Sequence, residues 1–142
     1  MPLPTLLALA LACQPPADPK PVAGARAPVP AGCTCSANLR WVSVRVRRAD
    51  GTPVTDAAIR VRDARTGRAI ATGGQPPMLA ASGEYIAVRD GDVRPRPDAP
   101  IAVVVEAEWH GQRRSATLRV GTPDACGCHL QRVGEPTTLV FP

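Results

Sequence analysis

The segment Ile101 to Val120 admits one strand pairing and excludes its neighbours in register. Two runs alternate apolar with polar residues, the period of half-buried strands, and His110-Gly111 stands between them as a two-residue turn. Folding back about that turn sets Trp109 opposite Gln112 and Glu108 opposite Arg113. On one face Ile101 then meets Val120, Val103 meets Leu118, and Val105 meets Ala116. On the other face Glu106 meets Ser115 and Val104 meets Thr117. A slip of one residue would carry every apolar side chain to the charged face.

The same alternation runs through the rest of the domain. Val42, Val44 and Val46 alternate with Trp41, Ser43, Arg45 and Arg47, and Asp50-Gly51 then turns the chain. Ala57, Ile59 and Val61 alternate with Ala58, Arg60 and Arg62. Thr66-Gly67 leads into a short strand from Arg68 to Thr72. Further strands are expected at Glu84 to Arg89 and Thr137 to Phe141, with Pro-rich loops from Gly73 to Ser82 and from Gly91 to Pro100. That makes seven strands and no helix. The predicted fold is all-β, a seven-stranded antiparallel β-sandwich over residues 33–142. Aromatic residues are only 3% of the chain. The core must therefore be built from Val, Ile, Leu and Ala, and covalent staples gain importance.

Four cysteines form two Cys-x-Cys pairs, Cys33/Cys35 and Cys126/Cys128. In an oxidising compartment disulfides are their default state. If each pair lies on a strand, its two sulfurs share a face. Antiparallel strands then give Cys33–Cys128 and Cys35–Cys126, and parallel strands give Cys33–Cys126 and Cys35–Cys128. The antiparallel arrangement is the favoured expectation, with both open. One bridge closes a long loop, worth ~4–5 kcal/mol in the chain-entropy model, and a second closes little more. The rival reading is a Zn²⁺ or Cu⁺ site using the four thiols and His129. The i, i+2 spacing suits a strand better than a metal knuckle.

Residues 1–13 form a short apolar run ending at Cys13, too short to span a bilayer. Leu9-Ala10-Leu11-Ala12-Cys13 resembles the lipobox of bacterial lipoproteins. That resemblance implies lipidation of Cys13, removal of the leader, and anchoring by acyl chains; a cleaved, secreted protein is the alternative. Residues 14–32 carry six prolines and no aromatic residue. Such a linker cannot build a core. Nineteen residues at about 3.1 Å each could hold a domain up to ~60 Å from a membrane.

Val42 to Val61, with Ala49-Asp50-Gly51-Thr52-Pro53-Val54 and Ala57-Ala58-Ile59-Arg60-Val61, resembles the opening of a carboxypeptidase regulatory-like domain, and Gly83-Glu84-Tyr85 resembles its later Gly-x-Tyr strand start. The resemblance covers about half the domain. It implies a transthyretin-like sandwich, usually non-catalytic and used as a folding aid, spacer or binding module. The last segment, from Cys126-Gly-Cys-His-Leu to Val140, is similar to bacterial lipoproteins with this fold. Transthyretin-like ureide hydrolases carry a His/Arg set and a Tyr-Arg-Gly-Ser type ending that this chain lacks.

Function is less legible. Sixteen of the 17 basic residues are Arg, against 12 acidic residues. Arg45, Arg47, Arg60 and Arg62 fall on the outward sides of strands. They define a candidate surface for an anionic partner if they converge. Nucleic acid is disfavoured by the export signal and by the lack of interleaved aromatic residues. No Gly-x-Ser-x-Gly elbow accompanies His110 or His129, so no catalytic triad is expected. Asp90, Asp92 and Asp98 share a loop without the spacing of an EF-hand, and are read as solvated turn residues. The reading is a non-catalytic lipoprotein of the cell envelope, without cofactor. Its membrane contact is a lipid anchor, and its domain binds or scaffolds a protein or anionic envelope partner.

Overall fold

The computed structural model describes residues 31–96, 98–123 and 125–142. The leader, Cys13 and the linker up to residue 30 lie outside the described residues. Among the described residues eight strands form: β1 (Trp41–Arg48), β2 (Ala58–Asp63), β3 (Ala69–Ile70), β4 (Glu84–Arg89), β5 (Ile101–Trp109), β6 (Gln112–Gly121), β7 (Gln131–Val133) and β8 (Thr138–Phe141). A five-residue helix, α1 (Pro77–Ala81), precedes β4. The protein is all-β, as expected. The short strand β7 and helix α1 are additions to the expected seven strands. Among the described residues no helix is long and apolar enough to cross a membrane.

Two sheets form, in the orders β4-β1-β8 and β3-β2-β5-β6-β7. The β5–β6 hairpin adopts the expected register along its whole length, from Ile101 opposite Val120 to Trp109 opposite Gln112. His110 (φ 47°) and Gly111 (φ 75°) both take the left-handed conformation of a tight hairpin turn. The sheets are not wholly antiparallel. β8 runs parallel to β1, pairing Arg45 with Thr138 and Arg48 with Phe141. The cause is the route of the chain. β7 leaves β6 on the larger sheet, and the chain then crosses to lie beside β1 on the smaller one.

Alternation decides which side chains meet between the sheets. Val42, Val44 and Val46 of β1 face Val103, Val105 and Ala107 of β5 within one buried cluster. Tyr85, Leu139 and Phe141 supply its bulk on the smaller sheet, with Leu118 and Val120 on the larger. At about 25 cal/mol per Å² of apolar surface, a Val-rich core of this kind is the main stabilising term. A bulge between Val42 and Ser43 lets Ala87 and Val88 of β4 both bury. Ile86 faces the other way, where Gln75 completes the ladder: its side chain donates to the Ile86 carbonyl (2.9 Å) and accepts from the Ile86 N–H (2.7 Å).

Tyr85 ties the turn region to the core. Its hydroxyl donates to the Val54 carbonyl (2.9 Å) and accepts from the Ala57 N–H (3.0 Å). Burial raises its pKa, so the phenol stays neutral and able to donate. Gly83 is required next door. A Cβ there would lie 2.6 Å from the Val46 carbonyl oxygen, at a φ of +68°. Trp109 closes the far end of the core, edge-on to Phe141 and donating to Asp56 (2.8 Å).

Candidate functional site

The four cysteines pair as Cys33–Cys126 and Cys35–Cys128. This is the parallel alternative, not the favoured antiparallel one. Neither Cys-x-Cys pair lies on a strand. Two loop segments are joined in the same direction, the second with Cys126 in a turn and Gly127 at φ 62° between its cysteines. The bridges place the domain in an oxidising, extracytoplasmic setting. They also remove the ligands of the metal reading, because a disulfide sulfur is not a thiolate. Among the described residues no cluster of His, Cys, Asp or Glu is arranged to hold a metal ion.

Beside the bridges lies an array that local spacing does not reveal. His129 Nδ1 is 2.8 Å from Asp90 Oδ2, and His129 Nε2 is 2.9 Å from Ser36 Oγ. Asp90 also accepts the Arg40 N–H at Oδ2 (2.9 Å) and the Leu130 N–H at Oδ1 (2.7 Å). Burial alone would raise its pKa. The hydrogen bonds from His129 and from the two backbone N–H groups outweigh that and hold it below the usual value. An ionised carboxylate only accepts, so the proton of a neutral His129 sits on Nδ1. Nε2 is then free to accept from the Ser36 hydroxyl. Asp90 thus anchors two other chain segments, at Arg40 and at His129-Leu130, rather than being a solvated turn residue. Its former companions are used separately. Asp92 accepts the Arg89 N–H (2.8 Å), and Asp98 pairs with exposed Arg96 at 3.5 Å. His110 stays exposed at the hairpin tip, stacked on Trp109.

The four arginines proposed as one anionic-partner surface are not brought together. Arg45 and Arg47 belong to β1 of the smaller sheet, and Arg60 and Arg62 to β2 of the larger. Their neighbours Val44, Val46 and Val61 all point into the shared core, so the two pairs face away on opposite sides. Arg60 is also neutralised locally. It donates to Glu108 (2.9 Å) and approaches Glu106 (3.5 Å), while Arg113 reaches Glu108 from the other flank (3.1 Å). The hydrogen bond from Arg60 and the charge of Arg113 hold the Glu108 carboxyl below its usual value.

A different set of arginines does converge. The β2–β3 turn and the loop after β4 border an open depression of about 460 Å³, lined by Arg65, Arg68 and Arg94 together with Asp63 and Asp92. Both aspartates accept backbone N–H groups and keep their charge, so the three guanidinium groups still outnumber the carboxylates in the lining. Asp63 Oδ1 accepts the N–H groups of Arg65 (2.9 Å) and Thr66 (2.7 Å), and Asp92 holds Arg89 as above. Among the described residues none of the three guanidinium groups forms an ion pair. Sequence reasoning missed this set because its members sit in loops, where no periodicity marks a shared face.

Comparison with family models, with curated proteins and with solved structures finds no match to this chain.

Proposed function

We propose that this is an exported, lipid-anchored protein of the cell envelope whose transthyretin-like sandwich receives an anionic group of an envelope partner. The observation that carries the binding reading is the Arg65/Arg68/Arg94 depression, where three cations share one concavity without an ion pair among the described residues. Such a cluster attracts anions at a range set by the Debye length, ~8 Å at physiological salt. The anchoring part rests on Cys13 and on the bridges that follow the Pro-rich linker. The transthyretin-like part rests on the two stretches that resemble a carboxypeptidase regulatory-like domain. They meet in space through Tyr85, which bonds Val54 and Ala57.

Two triple variants of the full chain with equal charge loss test the site. One is Arg65→Gln/Arg68→Gln/Arg94→Gln, and the other is Arg45→Gln/Arg47→Gln/Arg60→Gln. On a phosphate-bearing matrix the first is expected to elute at clearly lower salt than the second. Equal elution would mean that only net charge matters, and the local site would be abandoned.

A further inference from the structure

We propose that Ser36, His129 and Asp90 form an acyl-transfer site for carboxylic esters. The order of contacts is that of a nucleophile, its general base and the group that orients the base: hydroxyl to Nε2 at 2.9 Å and Nδ1 to carboxylate at 2.8 Å. Exposure separates the nucleophile from the other two groups. Ser36 is open to solvent, while the side chains of His129 and Asp90 are each only 14% exposed. The base is sheltered and the nucleophile is reachable.

Two features fix the geometry. Asp90 is held by the Arg40 and Leu130 N–H groups, so its carboxylate cannot swing away from the imidazole. The Cys35–Cys128 bridge lies one residue before both Ser36 and His129, and ties nucleophile to base covalently. A purely structural latch would need only Asp90, His129 and the two backbone donors. Water could satisfy Nε2 as well as Ser36 does, so the serine is the part that points to chemistry.

The step balances without an added oxidant or reductant. Ser36 Oγ bonds to the carbonyl carbon as its proton passes to His129 Nε2. The carbon–oxygen bond of the ester then breaks, and the leaving alkoxide takes that proton and departs as an alcohol. Water repeats the sequence on the acyl-serine. Its oxygen bonds to the acyl carbon as its proton passes to Nε2, the bond from that carbon to Ser36 Oγ breaks, Oγ takes the proton, and a carboxylic acid is released. Asp90 is a positioning residue throughout.

The test is covalent labelling of the full, oxidised chain by a fluorophosphonate, followed by peptide mapping. Exposed Ser115 on β6 serves as the internal reference. Ser36 is expected to label at least ~100-fold faster than Ser115, the scale of general-base assistance. His129→Gln should abolish that advantage. Equal labelling of Ser36 and Ser115 would overturn the proposal whether or not the variant folds, and so would a His129→Gln protein that labels at the unmodified rate.

Discussion

The two bridges are redundant in their long-range effect, which has a measurable consequence. Each joins residues 93 apart in sequence. A loop of that length costs the unfolded chain about 4.7 kcal/mol of entropy when closed. Once one bridge is in place, the second closes only the few residues between adjacent half-cystines, worth about 2 kcal/mol on the same scale. Replacing either pair, as Cys33→Ser/Cys126→Ser or Cys35→Ser/Cys128→Ser, should therefore cost only about 2 kcal/mol. Replacing all four should cost about 6–7 kcal/mol, much of the stability of an ordinary domain. Urea unfolding of the three variants, analysed by linear extrapolation, reads these values directly. If each pair alone cost 4–5 kcal/mol, the bridges would not be acting on the same loop, and the reasoning would fail.

Tyr85→Phe removes one hydroxyl that serves both Val54 and Ala57. It should lower stability by about 1–3 kcal/mol in the same urea assay, since a buried carbonyl and a part-buried N–H lose their partner. Gly111→Ala forces a side chain into a left-handed turn at φ 75° and should cost about 1–2 kcal/mol, while His110→Asn should be close to neutral. The Asp90 carboxyl is held below its ordinary 3.8 in the folded protein. Its contribution is therefore complete above that pH and is lost as pH falls through the depressed folded value. Acid unfolding should be steeper for the unmodified protein than for Asp90→Asn, and parallel curves would remove Asp90 from the account.

What could be read from the sequence was whatever two independent patterns specified together. The β5–β6 register was legible because apolar alternation and charge pairing agree along Ile101 to Val120. The direction of β8 was not, because a four-residue strand alternates identically whichever way its neighbour runs. β7 has three residues, too few to show a period, and α1 begins at the second proline of the Pro76-Pro77 pair, which reads as loop. The Ser36–His129–Asp90 array joins residues 93 and 39 apart, beyond any local motif. A trace of it was present all the same. Cys35 and Cys128 adjoin Ser36 and His129, so the parallel disulfide alternative already set serine beside histidine. The arginine faces were misjudged for a related reason. Alternation says that a side chain points outward, but not from which of two sheets.

Intact mass of the protein recovered from its native host tests the central claim of export and stapling most directly. The expected species lacks residues 1–12, carries acyl chains on Cys13, and is lighter by two hydrogens for each of the two bridges. A chain that keeps Met1 and has all its thiols free would contradict the account.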